Sequence, residues 1–182
     1  SIDDWPLLRA VSKMNRKCII STGGADYETL DKVYNLFKKE YRDFSFMHCV
    51  GQYPTPVEYS NLNRIKTMKE RYSDIEIGIS THESPDQKSI VSHAVAMGCN
   101  IIEKHVGVET DTISLNAYSC TSKQLENVIC EVLLIQKAMI GKSPTEKDSL
   151  YKLKRGIYAK RKIEKGDTIS ENDLYYAMPL QE

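Results

Sequence analysis

Four short apolar runs recur along the chain, each followed by a stretch with helical spacing. The runs span residues 17–20, 44–50, 75–79 and 101–106. Their length and their β-branched and aromatic residues predict buried strands. Strands that alternate with helices predict a parallel α/β architecture. A spacing of roughly 25–30 residues per unit suits either an open doubly wound sheet or a (β/α)₈ TIM barrel.

Amphipathic patterns after the apolar runs predict helices. Asp26 is placed to cap a helix whose apolar stripe consists of Leu30, Val33, Tyr34 and Phe37. Ser84-Pro85 predicts the start of a second helix, which Gly98 would end. A third helix is expected from Ser122 to Gly141, and it would bury Leu125, Ile129, Val132, Leu133 and Met139.

The composition narrows the class of protein. The 182 residues are 41% hydrophobic and 27% charged, as in soluble globular proteins. Lys+Arg and Asp+Glu number 25 each, so broad attraction to nucleic acid or to a membrane surface is not expected. No apolar run approaches the ~20 residues of a membrane span. The five cysteines are scattered without C-x-x-C spacing, which disfavours disulfides and zinc and predicts a cytoplasmic protein.

A change in character near residue 141 predicts the domain organisation. Residues 1–141 form the α/β domain, and the polar stretch 142–154 is expected to be a linker. Strand patterns at 156–159 and 162–169, the second containing a Lys-Gly-Asp turn, predict a small β-rich module over residues 155–182. Its length of about 28 residues is too short for a core of its own, so we expect this module to be truncated.

Side chains that could bind ligands or take part in catalysis lie where the predicted strands end. In parallel α/β proteins, functional groups collect at the carboxyl ends of strands. Each predicted strand ends in such groups: Ser21, then His48 with Tyr53, then Ser80 with His82, then Glu103 with His105. Because a barrel would bring these ends to one rim, the pattern predicts an active site there.

The histidines differ in what their surroundings predict. Neutral imidazoles at the ends of adjacent strands suit one divalent metal, which His82 and His105 could share. Taken singly, each could instead be a structural hydrogen-bonding residue, and that alternative stays open. His48 lies inside an apolar run and is predicted to be core, whereas His93 in a helix is predicted to be exposed. By the period of two along a strand, Glu103 shares a face with His105.

Two loops offer further binding groups. The turn at 21–24 has backbone N–H groups and hydroxyls that suit a phosphate or carboxylate, although such turns are also common between strands and helices. The proline-bracketed loop 51–56 presents Tyr53, which could stack on a sugar or bond to it.

At these residues the chain resembles the sialic-acid (N-acetylneuraminate) synthase family. The resemblance rests on Ser21-Thr22-Gly23, His48-Cys49 with Tyr53-Pro54-Thr55-Pro56, Ser80-Thr81-His82, Glu103-Lys104-His105, and Ile163-Glu164-Lys165-Gly166. The last segment is similar to the opening of that family's antifreeze-like (SAF) domain. The resemblance implies the second half of a (β/α)₈ TIM barrel, strands five to eight, followed by the start of that domain.

The resemblance also implies a reaction and its residues. Phosphoenolpyruvate would condense with an N-acyl hexosamine to give a 2-keto sugar acid and phosphate. His82 and His105 would hold Mn²⁺ or Mg²⁺ as a Lewis acid. From its own position on the strand, Glu103 could take a catalytic role by orienting a ligand or a metal-bound water, or it could merely satisfy buried polar neighbours. Ser21 and Ser80 would hold the phosphate or carboxylate of phosphoenolpyruvate, and Tyr53 would contact the amino sugar. Asn116 is also expected to contact the substrate. The complete enzyme would be a homodimer.

Departures from the family pattern predict a different amino sugar. Gly51 stands where an asparagine that binds phosphoenolpyruvate is common, and Thr81 replaces the aspartate of S-D-H. Residues 113–116 replace P-G-P-D, so Asn116 replaces a carboxylate that contacts the sugar. Met178-Pro179 stands where R-P is usual.

The sequence leaves three hypotheses for the function. The first is part of a nonulosonic-acid synthase, and the second is an inactive half-barrel or subunit that needs an N-terminal partner. The third is another phosphoenolpyruvate-dependent synthase or aldolase, which Ile163–Gly166 disfavours. Since the family's first four strands are absent, we expect the 182-residue chain alone to self-associate and to lack synthase activity.

Overall fold

A computed structural model describes residues 2–40, 42–87, 89–142, 150–151, 153–178 and 180. They divide into two compact units, Ser1–Ile140 and Gly141–Glu182. Of the predicted linker 142–154, residues 143–149 and 152 lie outside the described residues. No helix in the described part of the chain is both long and apolar enough to cross a membrane.

All four apolar runs of the first unit form strands. They are β1 (Cys18–Ser21), β2 (Phe44–Cys49), β3 (Glu76–Thr81) and β4 (Ile102–Lys104). The strands pair in parallel and in chain order. A doubly wound sheet would reverse its strand order, whereas consecutive right-handed crossovers place every helix on one face and curl the sheet. The first unit is therefore an α/β half-barrel.

Five helices accompany these strands. They are α1 (Trp5–Ser12), α2 (Tyr27–Lys39), α3 (Asn63–Arg71), α4 (Ser89–Ala96) and α5 (Ser122–Ile140). The predicted cap of α2 is confirmed, because the backbone N–H of Thr29 donates to the Asp26 carboxylate at 2.8 Å. α1 and α3 were not predicted. α3 buries only Ile65 and Met68, which is too short a stripe to stand out in the sequence.

The predicted start of α4 at Ser84-Pro85 is wrong, since the helix begins at Ser89. Residues 84–87 form a separate turn instead, in which the backbone N–H of Gln87 donates to the Ser84 carbonyl at 2.9 Å. The Ser-Pro pair therefore opens a turn that precedes the helix.

The core lies between the sheet and the helices. Phe46, Ile77 and Ile79 point to this side of the sheet and are at most 2% exposed. Helix residues that pack against them include Leu30, Val33, Phe37, Ile65 and Met68. Full burial of such a side chain contributes about 1.5–3 kcal/mol, so this layer holds the strands, and with them the strand ends, in place.

The predicted burial of α5 is wrong for most of its apolar residues. Only Val128 is buried, while Ile129, Leu133 and Met139 are 49%, 58% and 54% exposed. α5 packs against α4, where the Ser92 hydroxyl donates to Glu131 at 2.9 Å. One helix can cover only one side of the stripe, and the described residues of the first unit place no further element over the rest.

The second unit contains one antiparallel pair, β5 (Gly156–Ala159) and β6 (Leu174–Ala177). The predicted strand at 162–169 is wrong, because this highly charged segment forms turns. Arg161 stabilises them through Asp167 and Asp173, at 3.2 and 2.7 Å. Met178 is exposed, and Pro179 lies outside the described residues.

Gly78 on β3 predicts a test of how closely the sheet is packed. A Cβ atom there would overlap Sδ of Met47 and lie 2.6 Å from the carbonyl oxygen of Ile101. We expect Gly78→Ala to lower the free energy of unfolding by about 1–3 kcal/mol, because the strands must move apart. Urea unfolding followed by circular dichroism measures this. Gly51→Ala is the control, since no atom lies within 4 Å of its Cβ position, and equal midpoints for the two variants would contradict the prediction.

Candidate functional site

Four rings meet where β3 and β4 end. The ring centroids of His82 and His105 are 5.1 Å apart, and the Tyr53 ring lies 4.4 Å from that of His82. Tyr118 contacts the other three, with centroids 5.0 Å from His105, 5.4 Å from Tyr53 and 5.9 Å from His82. We call these four residues the ring cluster.

Each ring is positioned by backbone hydrogen bonds at the strand ends. His82 and His105 directly follow β3 and β4. The loop that carries Tyr53 is attached by the backbone N–H of Thr55, which donates to the carbonyl of His82 at 2.8 Å. The loop that carries Tyr118 is attached in the same way, because the N–H of Cys120 donates to the carbonyl of His105 at 2.8 Å. The backbone of each loop is therefore hydrogen-bonded directly to the backbone of one of the two histidines.

A buried ion pair joins the residues next to these histidines. Lys104 Nζ lies 2.8 Å from the Glu83 carboxylate, and both side chains are only 3% exposed. Lys104 also donates to the hydroxyl of Thr81 at 3.3 Å. Glu83 follows His82 and Lys104 precedes His105, so the pair fixes the spacing of the two strand ends from the side opposite to the ring cluster.

Glu103 points to the other side of β4 from Lys104, as the period of two predicts. The hydroxyl of Ser80 donates to the Glu103 carboxylate at 2.6 Å. Ser80 is buried and pairs in register with Glu103 across the two strands, while Glu103 is exposed. The hydroxyl–carboxylate pair thus lies on the strands that lead into His82 and His105.

His82 has the properties of a metal ligand. Its Nδ1 is buried and has no hydrogen-bond partner in the part of the chain that the structure describes. Burial, and secondarily the nearby His105, lower the pKa of His82 below its usual value, so the imidazole is neutral at neutral pH with a lone pair to donate. No group of three or more His, Cys, Asp or Glu residues suited to a metal occurs among the described residues. Two imidazole ligands would leave further positions on an ion for water or substrate.

The other predicted site residues lie further out. Ser21 ends β1, is exposed, and pairs in register with Met47, so β2 separates it from Ser80. Asn116 is exposed in the loop after β4, where its side-chain oxygen accepts the backbone N–H of Tyr118 at 3.2 Å. The structure thus brings together five of the predicted residues: Tyr53, Ser80, His82, Glu103 and His105. Asn116 instead contacts the backbone of Tyr118.

Tyr118 was missed at the sequence level. The predicted site residues came from the strand ends and from the segments that carry the family resemblance, and Tyr118, in the long loop after β4, belongs to neither. The sequence does contain a signal for Tyr118, because it is an aromatic residue in a βα loop, two positions after Asn116. An asparagine side chain can hydrogen-bond to the backbone two residues further along the chain.

His48 and His93 lie as predicted. His93 is exposed on α4. His48 is 1% exposed, and its Nε2 lies 2.8 Å from the carbonyl oxygen of Ser60. Burial lowers the pKa of His48 below its usual value, so it is neutral at neutral pH.

The polar groups lie at the carboxyl end of a parallel α/β half-barrel, which is where barrel enzymes carry their active sites. The model of one protein family, described as the NeuB family, matches residues 1–143. The chain belongs to the NeuB family.

Two of the relatives are named as synthases. The chain is 28% identical to N,N'-diacetyllegionaminic acid synthase of Campylobacter jejuni, over 98% of this chain and 55% of that protein. It is 30% identical to N-acetylneuraminate-9-phosphate synthase of Mus musculus, over 92% of this chain and 48% of that protein. The chain spans about half the length of the curated relatives it matches.

A solved structure has the same fold. A putative spore coat polysaccharide biosynthesis protein E from Chromobacterium violaceum superposes with a TM-score of 0.79 at 37% identity. The match covers 98% of this chain and 55% of that one.

The Lys104–Glu83 pair predicts a large effect on stability. Lys104→Met would leave the Glu83 carboxylate buried without its partner, and we expect it to lower the free energy of unfolding by about 3–5 kcal/mol. The double variant with Glu83→Leu should recover much of that loss, because no charge is then left unpaired. Urea unfolding measures both. Lys32→Met removes an exposed pair with Glu28 and should leave the midpoint unchanged; a similar shift in Lys32→Met and Lys104→Met would contradict the prediction.

Proposed function

We propose that this chain supplies part of the active site of a nonulosonic-acid synthase. The enzyme would condense phosphoenolpyruvate with an N-acyl hexosamine. The observation that carries the proposal is the pairing of His82 and His105, 5.1 Å apart at the ends of adjacent strands, in a NeuB-family chain. The names of its relatives support this class of product.

His82 and His105 would hold the divalent metal, Mn²⁺ or Mg²⁺. Neutral imidazole suits a transition ion such as Mn²⁺ better than Mg²⁺, so we favour Mn²⁺. When bound, the ion would supply Lewis-acid polarisation of the sugar aldehyde. The enol carbon of phosphoenolpyruvate bonds to the aldehyde carbon, water adds at the pyruvyl carbon, and phosphate leaves with the bridging oxygen.

The Ser80–Glu103 pair suits a neutral substrate group. Because Ser80 donates its proton to Glu103, the pair presents lone pairs and a negative charge to a ligand. A sugar hydroxyl can donate to such a pair directly. A phosphate or carboxylate could bind Ser80 only if its hydroxyl turned away from Glu103, so phosphoenolpyruvate would rely on Ser21 and other contacts. We therefore assign Ser80 and Glu103 chiefly to orienting the amino sugar.

The two tyrosines supply the apolar part of the proposed sugar site. Tyr53 is 55% exposed although its ring packs against His82, so one face is open to a ligand. Aromatic faces suit the C–H side of a sugar ring, and the phenol hydroxyls can bond to its edges. Tyr118 would form the neighbouring wall beside His105.

The wider setting of the proposed enzyme follows from the family resemblance. Residues 155–182 would be the start of an antifreeze-like domain, with β5 and β6 as its first strands. The enzyme would act as a homodimer in the cytoplasm. The five cysteines are free thiols, which suits a reducing compartment.

Phosphate release tests the proposal. The protein translated from its complete coding sequence is incubated with phosphoenolpyruvate, a hexosamine and Mn²⁺. We expect His82→Ala and His105→Ala each to lower kcat at least about a hundredfold, since metal polarisation contributes several kcal/mol. His93→Ala, an exposed histidine on α4, is the control and should retain full activity. Unchanged turnover in His82→Ala would refute the metal assignment.

Asn116 predicts substrate preference. Asn116→Asp keeps an oxygen for the N–H of Tyr118 but adds a negative charge beside the proposed sugar site. A charged acceptor bonds a hydroxyl more strongly than an amide by about 1 kcal/mol, so we expect kcat/KM for N-acetylmannosamine, relative to other hexosamines, to rise about five- to tenfold. Competition assays over a hexosamine panel measure the ratio, and Asn116→Ala, which also frees the loop, is the comparison. Strict preference for N-acetylmannosamine before substitution would refute the subfamily argument.

A further inference from the structure

Two buried imidazole nitrogens lack partners on the described residues, and they line one cavity. They are Nδ1 of His48 and Nδ1 of His82, on side chains that are 1% and 6% exposed. The space in this cavity that is open to the centre of a water molecule is about 10 Å³, and both histidines line it. Leaving a buried nitrogen without a hydrogen-bond partner costs about 1–3 kcal/mol of stability. Two such nitrogens on residues beside the same cavity therefore suggest one shared partner.

The hydrogen bonds of His48 determine where its proton lies. Nε2 is 2.8 Å from the carbonyl oxygen of Ser60, and a carbonyl only accepts. Nε2 must therefore carry the proton, because this imidazole is neutral. Nδ1 of His48 is then a bare acceptor, and it needs a donor from the cavity.

A single water in this cavity would satisfy both nitrogens. Roughly 10–15 Å³ of space open to the centre of a water molecule is enough for one water, provided that polar groups surround it. Thr55, Ser60 and Ser80 also line this cavity, so it is not an apolar void. A water that donates one hydrogen to Nδ1 of His48 can accept from Nδ1 of His82 where that nitrogen carries the proton, or donate its second hydrogen to it where it does not. The first arrangement leaves the lone pair of His82 on Nε2, as an ion bound through Nε2 under the proposed function would require.

We propose that one ordered water in this cavity bridges His48 and His82 and holds His82 in the tautomer that is protonated on Nδ1. In this chain of hydrogen bonds, Nδ1 of His82 donates to the water, the water donates to Nδ1 of His48, and Nε2 of His48 donates to the Ser60 carbonyl. His82 Nε2 is then left with the lone pair. His48 is thus a positioning residue, acting through the water on a histidine of the ring cluster.

The consequence for the site rests on the proposed function. An imidazole binds a metal through its unprotonated nitrogen, and the bond made by the other nitrogen selects which one that is. The bridge would therefore prepare Nε2 of His82 as the ligand before any ion arrives. It would also explain why a histidine is buried on the helix-facing side of β2.

Nuclear magnetic resonance of the ¹⁵N-histidine-labelled, metal-free protein tests the bridge. Two-bond correlations between ring protons and nitrogens distinguish the two neutral tautomers. We expect His48 protonated on Nε2 and His82 protonated on Nδ1. His93 is an internal reference, because its Nδ1 lies 2.6 Å from the carbonyl oxygen of Ser89 and must donate. A wild-type His82 protonated on Nε2 would overturn the proposal.

Two variants at position 48 separate the bridge from mere packing. His48→Leu fills the space without an acceptor, so we expect His82 to lose its single tautomer and become a mixture. His48→Asn carries its amide oxygen two bonds from Cβ, as Nδ1 is in histidine, and should restore the Nδ1-protonated form. His93→Leu should change neither. If His48→Leu folds and His82 keeps the same tautomer, the proposal is wrong.

A crystal structure provides a second readout that needs no variant. One water should lie within about 2.7–3.2 Å of both Nδ1 atoms. A cation between them, or a cavity closed by side chains, would overturn the proposal. Because both measurements use protein without metal or substrate, failure of the proposed synthase activity would leave their outcome unaffected.

Discussion

The ion pair between Lys104 and Glu83 is the constraint on which the rest of the site depends. Two charges that are 97% withdrawn from water carry a desolvation cost of several kcal/mol each, which only a close partner offsets. Neither residue can move far without losing that partner. Each residue of the ion pair is the chain neighbour of a ring-cluster histidine. The geometry that keeps the charges together therefore also keeps the ring centroids of His82 and His105 5.1 Å apart.

The two faces of the half-barrel have separate tasks. Side chains that alternate toward the helices, such as Phe46 and Ile79, form a closely packed layer. Those that alternate to the other face include Ser80 and Glu103, and this face leads into the ring cluster. Rigidity on one side therefore supports polar chemistry on the other, and a strand one residue out of register would exchange the two.

Much of this arrangement was predictable because it depends on local rules. The strand runs, the Asp26 cap and the opposite directions of Glu103 and Lys104 follow from side-chain periodicity and capping chemistry. The missed features depend on contacts between distant segments. Tyr118 joins the rings only because Cys120 bonds to the carbonyl of His105, and the exposed stripe of α5 reflects which neighbours the helix has. Spacing along the chain carries no information about either.

The side-chain bond from Asn116 to the backbone of Tyr118 links two positions that evolution would otherwise change independently. A residue at 116 that cannot accept this N–H would remove one of the two hydrogen bonds that position the tyrosine, the other being that of Cys120 to His105, whatever its own effect on a ligand. The fitness effect of a substitution at one position therefore depends on the residue at the other, which is epistasis with a structural cause. In diverging lineages of this family, we expect positions 116 and 118 to be replaced as a pair.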